Sequence, residues 1–267
     1  MKLVTRILLV LFLLGFATGL LALQREDFYR YRPGADQSSE RSEFTFTRLH
    51  FVSVRSYGAY DTDIRFYGNG GWSEDYPKAD RQFVEGLGRL TRLDGRATEE
   101  VIDLDSDDLF NWPWIYAVNV GTWGFTESQA KRMREYLQKG GFLMVDSFHG
   151  EADWANFMTG MNQILPNATV EDLPNSDEIF HVLYDLNERF QIPGYQYMNT
   201  GRTYEKDGFD PKWRAIRDDH GRIIVAICHN MHLGDAWEHA DNPLWPERFS
   251  SLAYRLGINY IVYAMTH

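Results

Sequence analysis

Residues 126–150 read TESQAKRMREYLQKGGFLMVDSFHG, and they restrict the fold more than any other stretch of the chain. Phe125, Ala130, Met133 and Leu137 fall near one face of a helix, while Lys131, Arg132, Arg134, Glu135, Gln138 and Lys139 take the others. Thr126 followed by Gln129 has the spacing of a capping box, and Gly140 with Gly141 supplies the left-handed residue that ends a helix. Phe142, Leu143, Met144 and Val145 then run apolar without alternation, as a strand covered on both faces does in a parallel sheet. Asp146, Ser147 and His149 follow at the carboxyl end of that strand, which is where open α/β sheets bind ligands.

The flanking sequence extends this unit into a fold. Residues 44–54 contain strict alternation and then more apolar residues to Val54, which predicts a first strand. A long loop rich in Gly and Tyr follows over 55–76, and Pro77 opens a helix that turns Phe83, Leu87 and Leu90 inward and ends near Asp94 and Gly95. Strands are expected over 98–104 and 114–120, and a helix carrying Trp154, Phe157, Met158 and Met161 stops near Pro166. Residues 179–186 are apolar but too short to assign. Residues 213–218 and 222–228 flank Asp219, His220 and Gly221 as a hairpin. Phe249, Leu252, Ala253, Leu256, Tyr260, Ile261 and Ala264 step as a closing helix. The order predicts an α/β fold, a mostly parallel sheet flanked by helices. There is no repeat and no internal linker, so 43–267 is expected to be a single domain.

Ahead of it, Lys2 and Arg6 precede an unbroken apolar run from Ile7 to Leu23 with Ala17, Gly19 and Ala22 towards its end. This reads as an export signal over 1–24, either cleaved or kept as a single membrane anchor, with a polar tether over 25–42. In a bacterium the body would then lie in the periplasm, free or anchored to the inner membrane. The single cysteine, Cys228, allows no internal disulfide. A net charge of -11 argues against nucleic acid, which needs clustered Lys and Arg.

Four ordered motifs, WSEDYPKAD at 72–80, YLQKGGFLMVDSFHG at 136–150, LGDAWEHAD at 233–241 and LAYRLGINYIVYAMTH at 252–267, resemble the DUF4159 family, a bacterial family of unknown function. The resemblance spans most of the body. It implies a flavodoxin-like fold similar to the class I glutamine amidotransferases. It also implies envelope partners in trans, such as von Willebrand factor A-like proteins or proteins associated with MoxR-type ATPases. It carries no established catalytic residues.

The chemistry is therefore read from the residues. An amidotransferase needs a cysteine nucleophile on a tight strand-to-helix turn, and no such turn is visible in the sequence. Cys228 and His229 are adjacent on a strand and so point to opposite faces, which favours a buried structural thiol. No Gly-x-Ser-x-Gly elbow is present, and the glycines at 68–71 lack the Lys and Ser or Thr of a phosphate loop. His229, His232 and Asp235 are the candidate ligands for a divalent metal, with His239 nearby, although their spacing fits no standard zinc signature and hydrogen-bonded loop residues are the competing reading. Asp146 and His149 are the candidate catalytic pair, against the alternative that Asp146 caps the next helix. Trp72, Tyr76, Asp235 and Trp237 are candidates to bind a ligand at an aromatic, acidic edge, against the alternative that the aromatics close the core. Asp75 and Asp80 flank Pro77, where a helix start favours negative charge without any ligand. The favoured function is a non-catalytic module that binds a ligand or protein. The alternative is a hydrolase of an envelope glycan or peptide, using a carboxylate with a histidine or a bound metal.

Overall fold

The structure, a computed structural model, describes residues 42–54 and 71–267. The apolar run from Ile7 to Leu23 and most of the long loop over 55–76 lie outside the described residues. No helix among the described residues is long and apolar enough to cross a membrane. The described residues belong to one compact unit.

Its centre is a seven-stranded sheet in the order β3-β1-β4-β6-β9-β8-β7. The strands are β1 (Thr47–His50), β3 (Glu100–Asp103), β4 (Trp114–Val118), β6 (Phe142–Asp146), β7 (Val170–Asp172), β8 (Lys212–Arg217) and β9 (Ile223–His229). From β3 through β1, β4 and β6 to β9 every pairing is parallel, and β8 pairs antiparallel with both β9 and β7. Of the two strands in the expected hairpin, then, β8 is the reversed one. The carboxyl ends of β1, β4, β6 and β9 share one edge.

The first strand is shorter than its alternation predicts. Phe44 only bridges to Gly95, and beyond Phe51 the chain leaves the sheet, with β2 (Val52–Ser53) pairing separately with β5 (Trp123–Gly124). The 126–150 unit forms as its sequence dictates. Thr126 accepts from the Gln129 amide, the Gln129 side chain accepts from the Thr126 amide, and α2 spans Glu127–Gln138. A cap of this kind is worth about 1 kcal/mol. The remaining helices are α1 (Lys78–Leu90), α3 (Gly150–Ile164), the short α4 (Tyr197–Thr200) and α5 (Leu233–Glu238), and α6 (Glu247–Thr266). Residues 179–186 hold only a single 3-10 turn, Glu178–Phe180.

Trp114, Tyr116, Val118, Phe142, Met144, Ala226 and Cys228 project from alternate positions of the central strands into a core shared with α1, α5 and α6. Ile115, Ala117, Leu143 and Val145 occupy the other parity and are equally buried. The sheet is covered on both faces, so only its edges are free to carry chemistry.

Candidate functional site

Three adjacent parallel strands leave the sheet in the same way. Asn119 after β4, Ser147 after β6 and Asn230 after β9 all hold the left-handed backbone conformation, with φ of 54°, 57° and 64°. Asn adopts that conformation more readily than other side-chain-bearing residues do, and Ser has no such preference. These turns aim the following loops at one another. Ser147 donates its amide to the Met231 carbonyl, and Asn230 donates its amide to the Phe148 carbonyl. The Asn230 side chain accepts from the Gly150 amide at the start of α3.

Asp146 lies at the centre of this junction and is fully buried. Its Oδ2 accepts from the Tyr116 hydroxyl at 2.9 Å and from the Leu233 and Gly234 amides at 2.7 and 3.1 Å. The capping alternative therefore holds in an altered form: Asp146 caps α5 from across the sheet, and not α3, the helix that follows it. Burial pushes its carboxyl up to about 6, against the pull of His232 and of these donors. Its other oxygen makes no hydrogen bond among the described residues.

Beside Asp146, three carboxylates surround one imidazole. His232 Nε2 lies 3.5 Å from Glu74 Oε1 and 3.5 Å from Asp235 Oδ2, and Nδ1 lies 3.6 Å from Asp75 Oδ2. The Asp235 amide donates to Nδ1 at 3.2 Å, which leaves Nε2 as the proton-bearing nitrogen aimed at Glu74 and Asp235. On protonation Nδ1 becomes a donor, and Asp75 is the oxygen that meets it. Burial opposes a charge on His232, but Asp235, Asp75 and Glu74 outweigh it and hold its pKa well above the ordinary value. Burial likewise pushes the Asp75 carboxyl well up, only partly offset by His232. For Asp235 burial is overcome by His232 and His239, and its carboxyl is held down.

Backbone detail makes room for this crowding. Asp75 is itself left-handed, with φ 61°. A Cβ on Gly234 would collide with the Asp75 carboxylate, and one on Gly194 would collide with those of Glu205 and Asp235. The Asp75 side chain is 7% exposed, and its Oδ2 has no hydrogen bond among the described residues. Glu74 and Glu205 are the open side of the cluster, with side chains 28% and 31% exposed. Glu74 also accepts from the Ser147 hydroxyl at 2.9 Å.

The residues marked from sequence divide accordingly. Asp146, His149, His232 and Asp235 meet at this edge. The His149 ring lies 6.2 Å from that of His232, its Nε2 is 3.9 Å from Glu205, and neither of its nitrogens is hydrogen-bonded among the described residues. Burial, with His232 and Lys206 adding, pushes its pKa well down, so the ring is neutral. Asp75, His232 and Asp235 each offer a ligand atom within 4.8 Å of one another.

His229 stands outside that group. Its ring packs 4.8 Å from Phe148 and 4.9 Å from Trp154, with Nε2 on the Gly150 carbonyl. The left-handed turn at Asn230 separates it from His232, which sequence spacing alone could not show. Trp237 is not an edge residue: it is fully buried against Phe46, Phe83 and Tyr116, so for it the core alternative holds. Trp72 is buried as well, edge-on to His50 and packed on Tyr76. Cys228 is buried, as expected of a structural thiol.

Asp80 is no simple helix-start charge. It pairs through both oxygens with Arg48, and both side chains are fully buried. Arg48 donates further to the carbonyls of Trp72 and Glu74, at 3.0 and 2.9 Å, and so fixes the segment that presents Glu74 and Asp75.

Glu74, Glu205, Gly194 and Ser147 are the site members that sequence reasoning passed over as chemistry. Glu74 could have been found, because it shares the 72–80 motif with Asp75. A family model described as "Domain of unknown function (DUF4159)" matches residues 62–265. No curated protein matches the chain.

Proposed function

From the premise that this chain belongs to the DUF4159 family, we propose that it is an envelope-facing ligand-binding domain whose site accepts a cationic group. On this reading the sheet is of the flavodoxin-like, class I glutamine amidotransferase-like kind. Residues 1–24 export or anchor it, 25–42 tether it, and 43–267 form its single domain. Its partners are von Willebrand factor A-like or MoxR-associated envelope proteins.

The observation that carries the reading is the charge balance at His232. Glu74, Asp75 and Asp235 surround one imidazole, and Glu205 stands near by. One imidazolium is set against three carboxyl groups, and burial already drives Asp75 towards its protonated form because a buried carboxylate is costly without a full partner. A cation completes the set, either a divalent metal on Asp75, His232 and Asp235 or a ligand ammonium between the carboxylates.

The test is metal analysis of the chain purified without chelator, with thermal melts in Zn²⁺, Mn²⁺, Mg²⁺, Ca²⁺ and small primary amines. A cation that raises Tm in the wild type and leaves Asp75→Asn unmoved supports the site. Absence of bound metal, together with no shift from any of these cations, sinks it.

A further inference from the structure

Ser147 is the residue whose identity the fold does not explain. At the matching position after β4 and after β9 the left-handed residue is Asn, the type that backbone conformation prefers. After β6 the same turn is made by Ser, which gains nothing from it. What Ser brings instead is a hydroxyl, and that hydroxyl donates to Glu74 Oε2 at 2.9 Å. The turn has a structural role, but the choice of Ser over Asn within it is a mark of function.

The surroundings complete a nucleophile's requirements. Ser147 sits between the carboxyl end of β6 and the start of α3, in a strand-turn-helix setting, and is itself buried beneath the partly exposed Glu74. The amide after it, that of Phe148, makes no hydrogen bond among the described residues, and in such a turn that amide faces the developing oxyanion. Glu74 is held by its own carbonyl on Arg48, and its second oxygen faces His232 Nε2. His149, two residues on, makes no hydrogen bond through either ring nitrogen among the described residues while 4% exposed.

We propose that Ser147 is a nucleophile, Glu74 its base and the Phe148 amide an oxyanion donor, in acyl transfer from an ester or amide that carries a positive charge. The charge preference rests on the cation-accepting reading above; the serine chemistry does not. Ser147 Oγ attacks the acyl carbon, and its proton passes to Glu74. The oxyanion collapses, the bond to the leaving alcohol or amine breaks, and Glu74 returns the proton to that group. Water, deprotonated by Glu74, then attacks the acyl-serine, releasing the acid and restoring the hydroxyl. Asp75 and Asp235 act on this sequence through His232, as positioning residues.

The experiment treats the full chain with a fluorophosphonate, which phosphonylates activated serines, and maps the adduct by peptide mass spectrometry. The expected result is label on Ser147, lost in Ser147→Ala and reduced at least tenfold in Glu74→Gln. Ser147→Asn, which suits the turn, should fold at least as stably as the wild type and take no label. A folded wild type that takes no label overturns the proposal, and so does equal labelling of Ser147→Ala. Cation-induced Tm shifts, read on the same proteins, separate the two ideas. A shift without label removes the nucleophile and leaves the cation site standing; label without a shift keeps the nucleophile and removes the charge preference.

Discussion

Two charged clusters lie side by side on residues 72–80, and they are built to opposite rules. Arg48 and Asp80 are sealed from solvent, joined through two hydrogen bonds, and the spare guanidinium donor is taken by the carbonyls of Trp72 and Glu74. Around His232 no described carboxylate comes closer than 3.5 Å, negative groups outnumber positive ones, and Asp75 Oδ2 makes no hydrogen bond among the described residues. The closed cluster has the build of a scaffold, and the open one is where the proposed cation would sit. They share Glu74, whose backbone belongs to the first and whose side chain belongs to the second. The scaffold thereby sets the position of the chemistry.

The hardest way to break this contrast is to remove its closed half. Arg48→Met strands the Asp80 charge and should cost about 3–5 kcal/mol in urea unfolding, whereas Arg48→Met with Asp80→Leu should recover most of it. His232→Gln, from the open half, should cost less than about 2 kcal/mol. If the two single losses prove equal, the division into scaffold and site is wrong.

Asp146 sharpens the contrast through pH. Its folded pKa of about 6 lies above the ordinary 3.8, so the folded chain holds that proton more tightly than the unfolded one. The stabilisation is present at low pH and is lost as pH rises from about 4 to 6. The loss amounts to about 3 kcal/mol. Asp146→Asn keeps an acceptor for Tyr116, Leu233 and Gly234 but cannot titrate, so unfolding curves of the two proteins should diverge over that window. Parallel curves would count against the burial argument.

The smallest expected effect has the opposite sign. Asp75→Asn replaces a buried carboxyl that makes no hydrogen bond through Oδ2 among the described residues and suits the left-handed backbone, and it should raise stability by about 1 kcal/mol at neutral pH while abolishing the cation response. A destabilised Asp75→Asn would mean that the open cluster is scaffold after all.

The part of this arrangement visible in sequence was the part fixed by local rules. The Thr126 and Gln129 cap, the glycine stop and the apolar β6 are set by neighbours in the chain, and each formed where its pattern placed it. The same holds for the hairpin, where Gly221 takes φ 84° and Asp218 accepts from the Arg222 amide. The pairings that make the two clusters span 32 residues from Arg48 to Asp80 and 73 from Glu74 to Ser147. No periodicity encodes such contacts. Ser147 escaped because the flanking glycines of a nucleophile elbow are absent, although the turn itself is present. His229 and His232 looked like one ligand set because three residues separate them, and a single left-handed Asn sends them to different surroundings.

The strand order also gives the site a schedule. Synthesis delivers β1, β3, β4 and β6 first, and these can pair among themselves while the rest of the chain is still to come. Of the three groups that donate to Asp146, only the Tyr116 hydroxyl belongs to that early portion; the Leu233 and Gly234 amides arrive after β9 has docked beside β6. A nascent chain that ends before residue 232 holds Glu74, Asp75, Asp146, Ser147 and His149 but lacks the imidazole that Glu74, Asp75 and Asp235 surround. The proposed cation site is thus completed last, by the segment that also brings the helix closing the core, and a truncated product carries Ser147 and Glu74 without the His232 that faces Glu74.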